Sequence, residues 1–242
     1  MKKRLLCVFA HPDDESYGPG GTIAQCALDG VDVFITMFTA GEAGSIGISK
    51  SLAPEELARR RRIEMADACR ALGVGGYRML EIPDGRVSGM DANRAVGEIL
   101  SDIERFQPQV VVTFHHRGVS GHPDHIAVAG FLDQAFARSG DAGPARYYEF
   151  GIPRHKAPLY ERPNLVPLND EEIAARVDIR PEAMERKVAA IQAHVTQVAF
   201  FESLEARFDY RTVSTPEHFG LRRTRAGRPS ATVGDLFEGI DD

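Results

Sequence analysis

The sequence predicts an α/β protein: a parallel sheet with helices on both faces, and a C-terminal extension packed on it. Three observations predict this. Short apolar runs recur through the first 150 residues, amphipathic helical stretches separate them, and polar clusters come soon after two of the runs. Strands covered on both faces read as continuous apolar runs, and parallel neighbours need a crossover between them.

Leu5–Ala10 is the first such run, followed by Val31–Phe38, a weaker Arg78–Ile82, Val110–Phe114 and a fifth at Arg146–Phe150. Between them, Ala92, Val96, Ile99, Ile103 and Phe106 repeat at the helical interval, with Asp91 as N-cap. In the helix over Pro54–Leu72, Leu57, Ala68 and Leu72 define one face, and Arg61 and Glu64 fall on it too. That charged pair either satisfies itself or a nearby loop, or Arg61 points into a site. Beyond residue 150, Pro153, Pro158, Pro163 and Pro167 break any periodicity, as in a long ordered loop or lid. A helix returns over Pro181–His194, with Met184, Val188, Ile191 and Val195 on one face.

Composition narrows the class. With 35 acidic and 29 basic residues the formal charge is −6, which argues against nucleic acid as a partner. The hydrophobic content of 43% supports a full core and excludes a disordered chain. Three cysteines, none in a CxxC pair, point to a reducing compartment. The run Leu5–Ala10 is short for a signal peptide, and no stretch approaches the roughly 20 apolar residues of a membrane span. The expectation is a cytoplasmic protein with no membrane partner; homo-oligomerisation is left open.

The chemistry concentrates where strands end, which is where open α/β sheets bind ligands. His11-Pro12-Asp13-Asp14-Glu15 follows the first run, and Gly121-His122-Pro123-Asp124-His125 comes shortly after the fourth. If the first and fourth strands are neighbours, both loops line one crevice. Two imidazoles and a carboxylate are a common set for catalytic Zn²⁺, which points to His11, Asp14 and His125. Asp13 is then free to take a proton from water, and His122 to face the substrate as acid or charge stabiliser. Asp124 is expected to hold His122 in one tautomer, and Glu15 to serve as a structural acceptor. Either His-Pro-Asp alone would be an ordinary turn. Gly18-Pro19-Gly20-Gly21-Thr22 opens a helix and admits two readings: a phosphate-binding turn, or close helix packing. His115, His116, His155 and His218 carry no assigned task.

AHPDDE at 10–15, GPGGTIA at 18–24, TAGEAG at 39–44 and RRRRIEMADACRALGV at 59–74 resemble the LmbE-like (PIG-L) N-acetylglucosamine deacetylase superfamily. PDGRV at 83–87, GHPDHIAV at 121–128, KVAAIQAHVTQ at 187–197 and DLFEGI at 235–240 extend the resemblance through nearly the whole chain. AHPDDE and HPDH are its specific parts. The resemblance implies a Rossmann-like three-layer fold, mostly parallel, forming one domain with a core over 1–150 and an extension over 151–242 that shapes the substrate site. It implies a Zn²⁺ enzyme, with Fe²⁺ or another divalent metal as the alternative, that deacetylates a small N-acetylglucosamine conjugate. His11, Asp14 and His125 would be ligands, and Asp13 the base. His122 and Asp124 would be catalytic, and Arg61, Asp84 and His194 would bind substrate. The sequence departs from some members at Ser120, where a tyrosine assists the oxyanion, and at Phe114-His115-His116-Arg117. Two other activities compete: an amidase cleaving a larger acyl group from a glucosaminyl thiol conjugate, and a nucleotide-binding module.

Overall fold

The computed structural model describes residues 2–44 and 52–240. In chain order it contains β1 (Arg4–Phe9), α1 (Asp14–Tyr17), α2 (Gly20–Leu28), β2 (Asp32–Met37), α3 (Pro54–Leu72), β3 (Gly76–Met79), α4 (Ala92–Phe106) and β4 (Val110–Phe114). There follow α5 (Gly118–Gly121), α6 (Pro123–Arg138), β5 (Arg146–Gly151), β6 (Ile173–Val177), α7 (Pro181–Ala193), α8 (Ala199–Glu205), α9 (Tyr210–Val213) and β7 (Glu217–Thr224). The strands form one sheet in the order β3-β2-β1-β4-β5-β7-β6. The β3-to-β5 portion is parallel, whereas β7 runs antiparallel to both β5 and β6.

The largely apolar central strands explain this order. Leu5, Leu6, Cys7, Val8 and Phe9 of β1 and Val110, Val111 and Val112 of β4 are buried, as expected for strands covered on both faces. β1 and β4 are neighbours, so the order reverses between them and leaves a crevice at their carboxyl ends. The weak third strand pairs from Gly76 to Met79, earlier than Arg78–Ile82, because β2 runs out at Met37. Leu80 and Ile82 still donate backbone hydrogen bonds to Met37 and Phe38.

The last third does more than cover the sheet, since it also adds β6 and β7 to one edge. Periodicity did not reveal these strands because β7 begins Glu217-His218, and both residues are buried. Helix α7 ends at Ala193, so Val195 lies beyond it and is exposed rather than on the buried face.

Glu217 also settles the use of the glycine turn. Its carboxylate accepts from the amides of Gly21 (2.9 Å) and Thr22 (2.8 Å) and from the Thr22 hydroxyl (2.6 Å). The start of α2 therefore already holds a carboxylate of the same chain where a phosphate would sit. Close packing, not nucleotide binding, accounts for the glycine: a Cβ on Gly21 would meet Glu217 and Ile179 within 2.9 Å. Buried Lys187 completes the cluster, donating to Glu217 (2.6 Å) and to the Gly18 carbonyl (2.7 Å). Removing one partner of such a pair strands the other charge. Glu217→Ala should therefore cost about 3–5 kcal/mol in urea unfolding. A loss under about 1 kcal/mol would show that the cluster contributes little.

Candidate active site and metal centre

The loops after β1 and β4 meet in the crevice between these strands, so the two His-Pro-Asp segments converge. His11 Nδ1 lies 3.2 Å from His125 Nε2. The Asp14 carboxylate closes the triangle, with one oxygen 3.6 Å from His11 Nδ1 and the other 3.3 Å from His125 Nε2. Donors about 2.1 Å from a tetrahedral ion stand roughly 3.4 Å apart, so these three side chains fit a single divalent cation.

The ring orientations reinforce the fit. His125 Nδ1 donates to the Gly118 carbonyl at 3.1 Å, which leaves the Nε2 lone pair facing Asp14 and His11. The other nitrogen of His11, Nε2, faces carboxylates: Asp84 Oδ1 at 3.0 Å and Asp124 Oδ2 at 3.5 Å. Both rings thus direct a nitrogen into the same space, backed by an acceptor on the far side. Asp84 and Asp124 form a second grouping with His11, but their oxygens are otherwise engaged. Asp84 Oδ2 accepts from Ala43 N at 3.0 Å, and Asp124 accepts from Gly85 N (2.9 Å) and Ser88 N (3.2 Å).

His122 completes the histidine cluster, its ring centroid 4.8 Å from those of both His11 and His125. It is the N-cap of α6, and Pro123 occupies the first turn. As N-cap, its Nδ1 accepts from the backbone N–H of Asp124 at 3.2 Å, so the neutral ring carries its proton on Nε2. The Asp124 carboxylate does not hold His122 as expected. Its side chain instead ties down the 85–88 loop and faces His11, because the cap turns it away from His122.

Asp13 and Arg61 stand beside the cluster. Arg61 of α3 donates to the carbonyls of Pro12 and Gly41 (2.8 Å to the latter) and lies 3.3 Å from Asp13 Oδ2. Gly41 has no side chain because a Cβ there would collide with that guanidinium. Arg61 and Glu64 do not pair with each other: Glu64 accepts from Thr196 N (2.9 Å) and Oγ1 (2.7 Å). Asp13 has φ 112°, a costly backbone for a residue with a Cβ. Its N–H donates to Glu15 Oε2 at 3.0 Å, and Glu15 Oε1 lies 2.6 Å from His194 Nε2. His194 is fully buried, so it stands behind the wall and not on the cavity surface, as the substrate-binding expectation required.

The electrostatics favour a cation. His11 is raised to about 10: burial opposes its charge, but Asp124, Asp84 and Asp14 outweigh it. Asp14 is buried, yet His125 and His11 bring it down to about 2. Burial raises Asp13 to about 6 although Arg61 pulls the other way. Burial, with His125 and His11 nearby, lowers His122 and keeps it neutral at pH 7.

Arg61, Asp84, Asp13, Ser120 and the cluster line a cavity of about 570 Å³. The proline-rich loop and α8 supply the rest of the wall, including Ile152, Tyr160, Arg162, Leu165 and Phe200. Those residues carried no sequence signal, since they come from a stretch without periodicity. His115 and His116 lie apart, near Glu149; His116 Nδ1 is 2.8 Å from its carboxylate.

Known proteins resemble this chain in sequence and in fold. Residues 6–136, more than half of the chain, match the family described as PIG-L: GlcNAc-PI de-N-acetylase. The 1D-myo-inositol 2-acetamido-2-deoxy-alpha-D-glucopyranoside deacetylase of Mycobacteroides abscessus is 31% identical, and the match covers 99% of both chains. Among solved structures, the N,N'-diacetylchitobiose deacetylase of Pyrococcus horikoshii aligns with a TM-score of 0.63 and 24% identity, covering 91% of this chain and 83% of that one. The 4-carboxy-2-hydroxymuconate hydratase of Pseudomonas putida aligns with a TM-score of 0.71 and 20% identity, covering 95% and 100%. At those identities the structures share the fold alone. The family match and the full-length relative together place the chain in the PIG-L (LmbE-like) family of deacetylase enzymes.

Proposed function

We propose that the protein is a metal-dependent hydrolase that removes the acetyl group from a small N-acetylglucosamine conjugate. The observation that carries this reading is the His11–Asp14–His125 triangle, with Asp13 and His122 beside it in one cavity. The deacetylases named above support the substrate class. We read the chain as one domain, because residues beyond 150 complete both the sheet and the cavity wall. No helix among the described residues is long and apolar enough to cross a membrane. The three cysteines are free and buried, which supports a cytoplasmic setting.

His11, Asp14 and His125 would hold the metal, Zn²⁺ by the nitrogen-rich donor set. When bound, it supplies a Lewis acid and a water of lowered pKa. The chain's own residues do the rest. Asp13 takes the proton of the attacking water, and that proton passes on to the amide nitrogen as the C–N bond breaks and the amine leaves; the Asp13 carboxylate is positioned by Arg61 and its backbone by Glu15, which His194 holds. His122 Nε2–H donates to the acetamide oxygen as negative charge develops there, because its Nδ1 is committed to the cap. Asp84 and Asp124 hold His11 with Nδ1 turned inward. Arg61 and Asp84 also reach the cavity, where they would contact the sugar.

Asp13→Asn should keep bound zinc, measured by elemental analysis, and lose about 10²–10⁴ in kcat. His11→Ala should lose both metal and activity. Near-normal turnover in Asp13→Asn would remove Asp13 as the base. His122→Ala should lower kcat by about 10²–10³ in an amine-release assay, with metal retained. The base works as the carboxylate, so kcat/KM should rise with pH through the pKa of Asp13. Burial places that pKa at about 6. A bound cation lowers it further, so the acid limb should fall at or below pH 6 and vanish in Asp13→Asn. A limb at pH 7 or above would point to another base.

A further inference from the structure

Resting on the deacetylase reading, we propose that the sugar's aglycone is aromatic and stacks in a subsite built from Phe200, Arg162, Tyr17 and Tyr160.

Phe200 and Phe201 are adjacent in α8 but have different surroundings. Phe201 is buried, its ring 5.1 Å from Tyr210 within the core. Phe200 is only half-buried and lines the cavity, with its ring 5.6 Å from Tyr17. Core packing therefore accounts for Phe201, while Phe200 presents surface to the cavity. The Arg162 guanidinium lies 4.0 Å from the centre of the Phe200 ring. It makes no hydrogen bond or ion pair with any described side chain, so a flat cationic surface borders an aromatic one. Tyr160 and Leu165, from the same loop as Arg162, continue the wall.

This wall selects among aglycones. A polyol presents hydroxyls in several directions, and each must regain a hydrogen bond lost to water. Here the Tyr17 hydroxyl already donates to the Gln197 carbonyl at 3.1 Å, and around Phe200 the other polar groups are the Arg162 guanidinium, the Tyr160 hydroxyl and Gln197, set among rings and aliphatic carbons. An aryl group matches such a surface by offset or edge-to-face stacking and by lying against the guanidinium plane. The loop holding Arg162 is itself ordered. It returns on itself through Arg154 N to Leu168 O (3.0 Å) and Leu168 N to Ile152 O (2.8 Å), and Val166 N reaches Val119 O at 2.6 Å. The subsite is thus held in place before any ligand arrives.

The test compares the para-nitrophenyl and methyl glycosides of N-acetylglucosamine and its inositol conjugate. Amine release is measured with the zinc-loaded full chain, and calorimetric affinity with Asp13→Asn. The aryl glycoside should exceed both others in kcat/KM by about tenfold or more. That ratio should fall toward one in Phe200→Ala and Arg162→Ala and persist in Phe200→Tyr, which keeps the ring. A ratio near one in the native protein, or one indifferent to Phe200→Ala, overturns the proposal. Failure of every glycoside to release amine would sink the deacetylase reading instead. The affinities then decide the subsite by the same ratio and the same variants.

Discussion

Two imidazole nitrogens of this protein face each other across 3.2 Å, with a carboxylate closing the triangle. Two lone pairs at that distance repel unless something positive lies between them. Either a proton or a metal ion can fill that role, and the surrounding carboxylates make both favourable. Asp84 and Asp124 stand behind His11, while a backbone carbonyl stands behind His125. Each outer contact selects which nitrogen looks inward. The same negative field that keeps a proton on His11 is what a divalent cation would use in its place.

Everything around this centre acts to hold short loops still. Asp13 occupies a strained backbone conformation, secured from one side by Glu15 and from the other by Arg61. Glu15 is in turn paired with His194 at the end of α7, so a residue from the far third of the chain steadies Asp13. Thr196, two residues on, binds Glu64 of α3. The C-terminal extension therefore braces the N-terminal loop through buried polar contacts, which tolerate little displacement.

The same extension supplies much of the cavity wall. Its edge strand β7 brings Glu217 to the start of α2, where it meets Lys187 of α7. That cluster occupies the helix terminus where a phosphate would otherwise sit. The proline-rich loop and α8 then enclose the cavity on the side away from the sheet edge bearing β3. The proposed metal ligands, the proposed base and the cavity wall thus come from three separate stretches of chain that a single sheet brings together.

Much of this was legible in the residues themselves. The parallel core followed from apolar runs at β1, β2, β4 and β5, because burial on both faces leaves no other pattern. The two His-Pro-Asp segments carried their chemistry locally, since the donors lie within three residues of one another and need only be brought to one crevice. Tertiary structure alone decided the partners of the isolated charges. Asp124 serves His11 and a loop instead of His122, and His194 stands behind Glu15 instead of facing substrate. Strand β7 was hidden because it opens on Glu217, a buried charge satisfied by distant partners. Residue type and short spacing are local properties that a sequence displays. Which side chain faces which depends on sheet register and helix packing between segments more than 100 residues apart, as Glu15 and His194 are, and only the folded chain sets those.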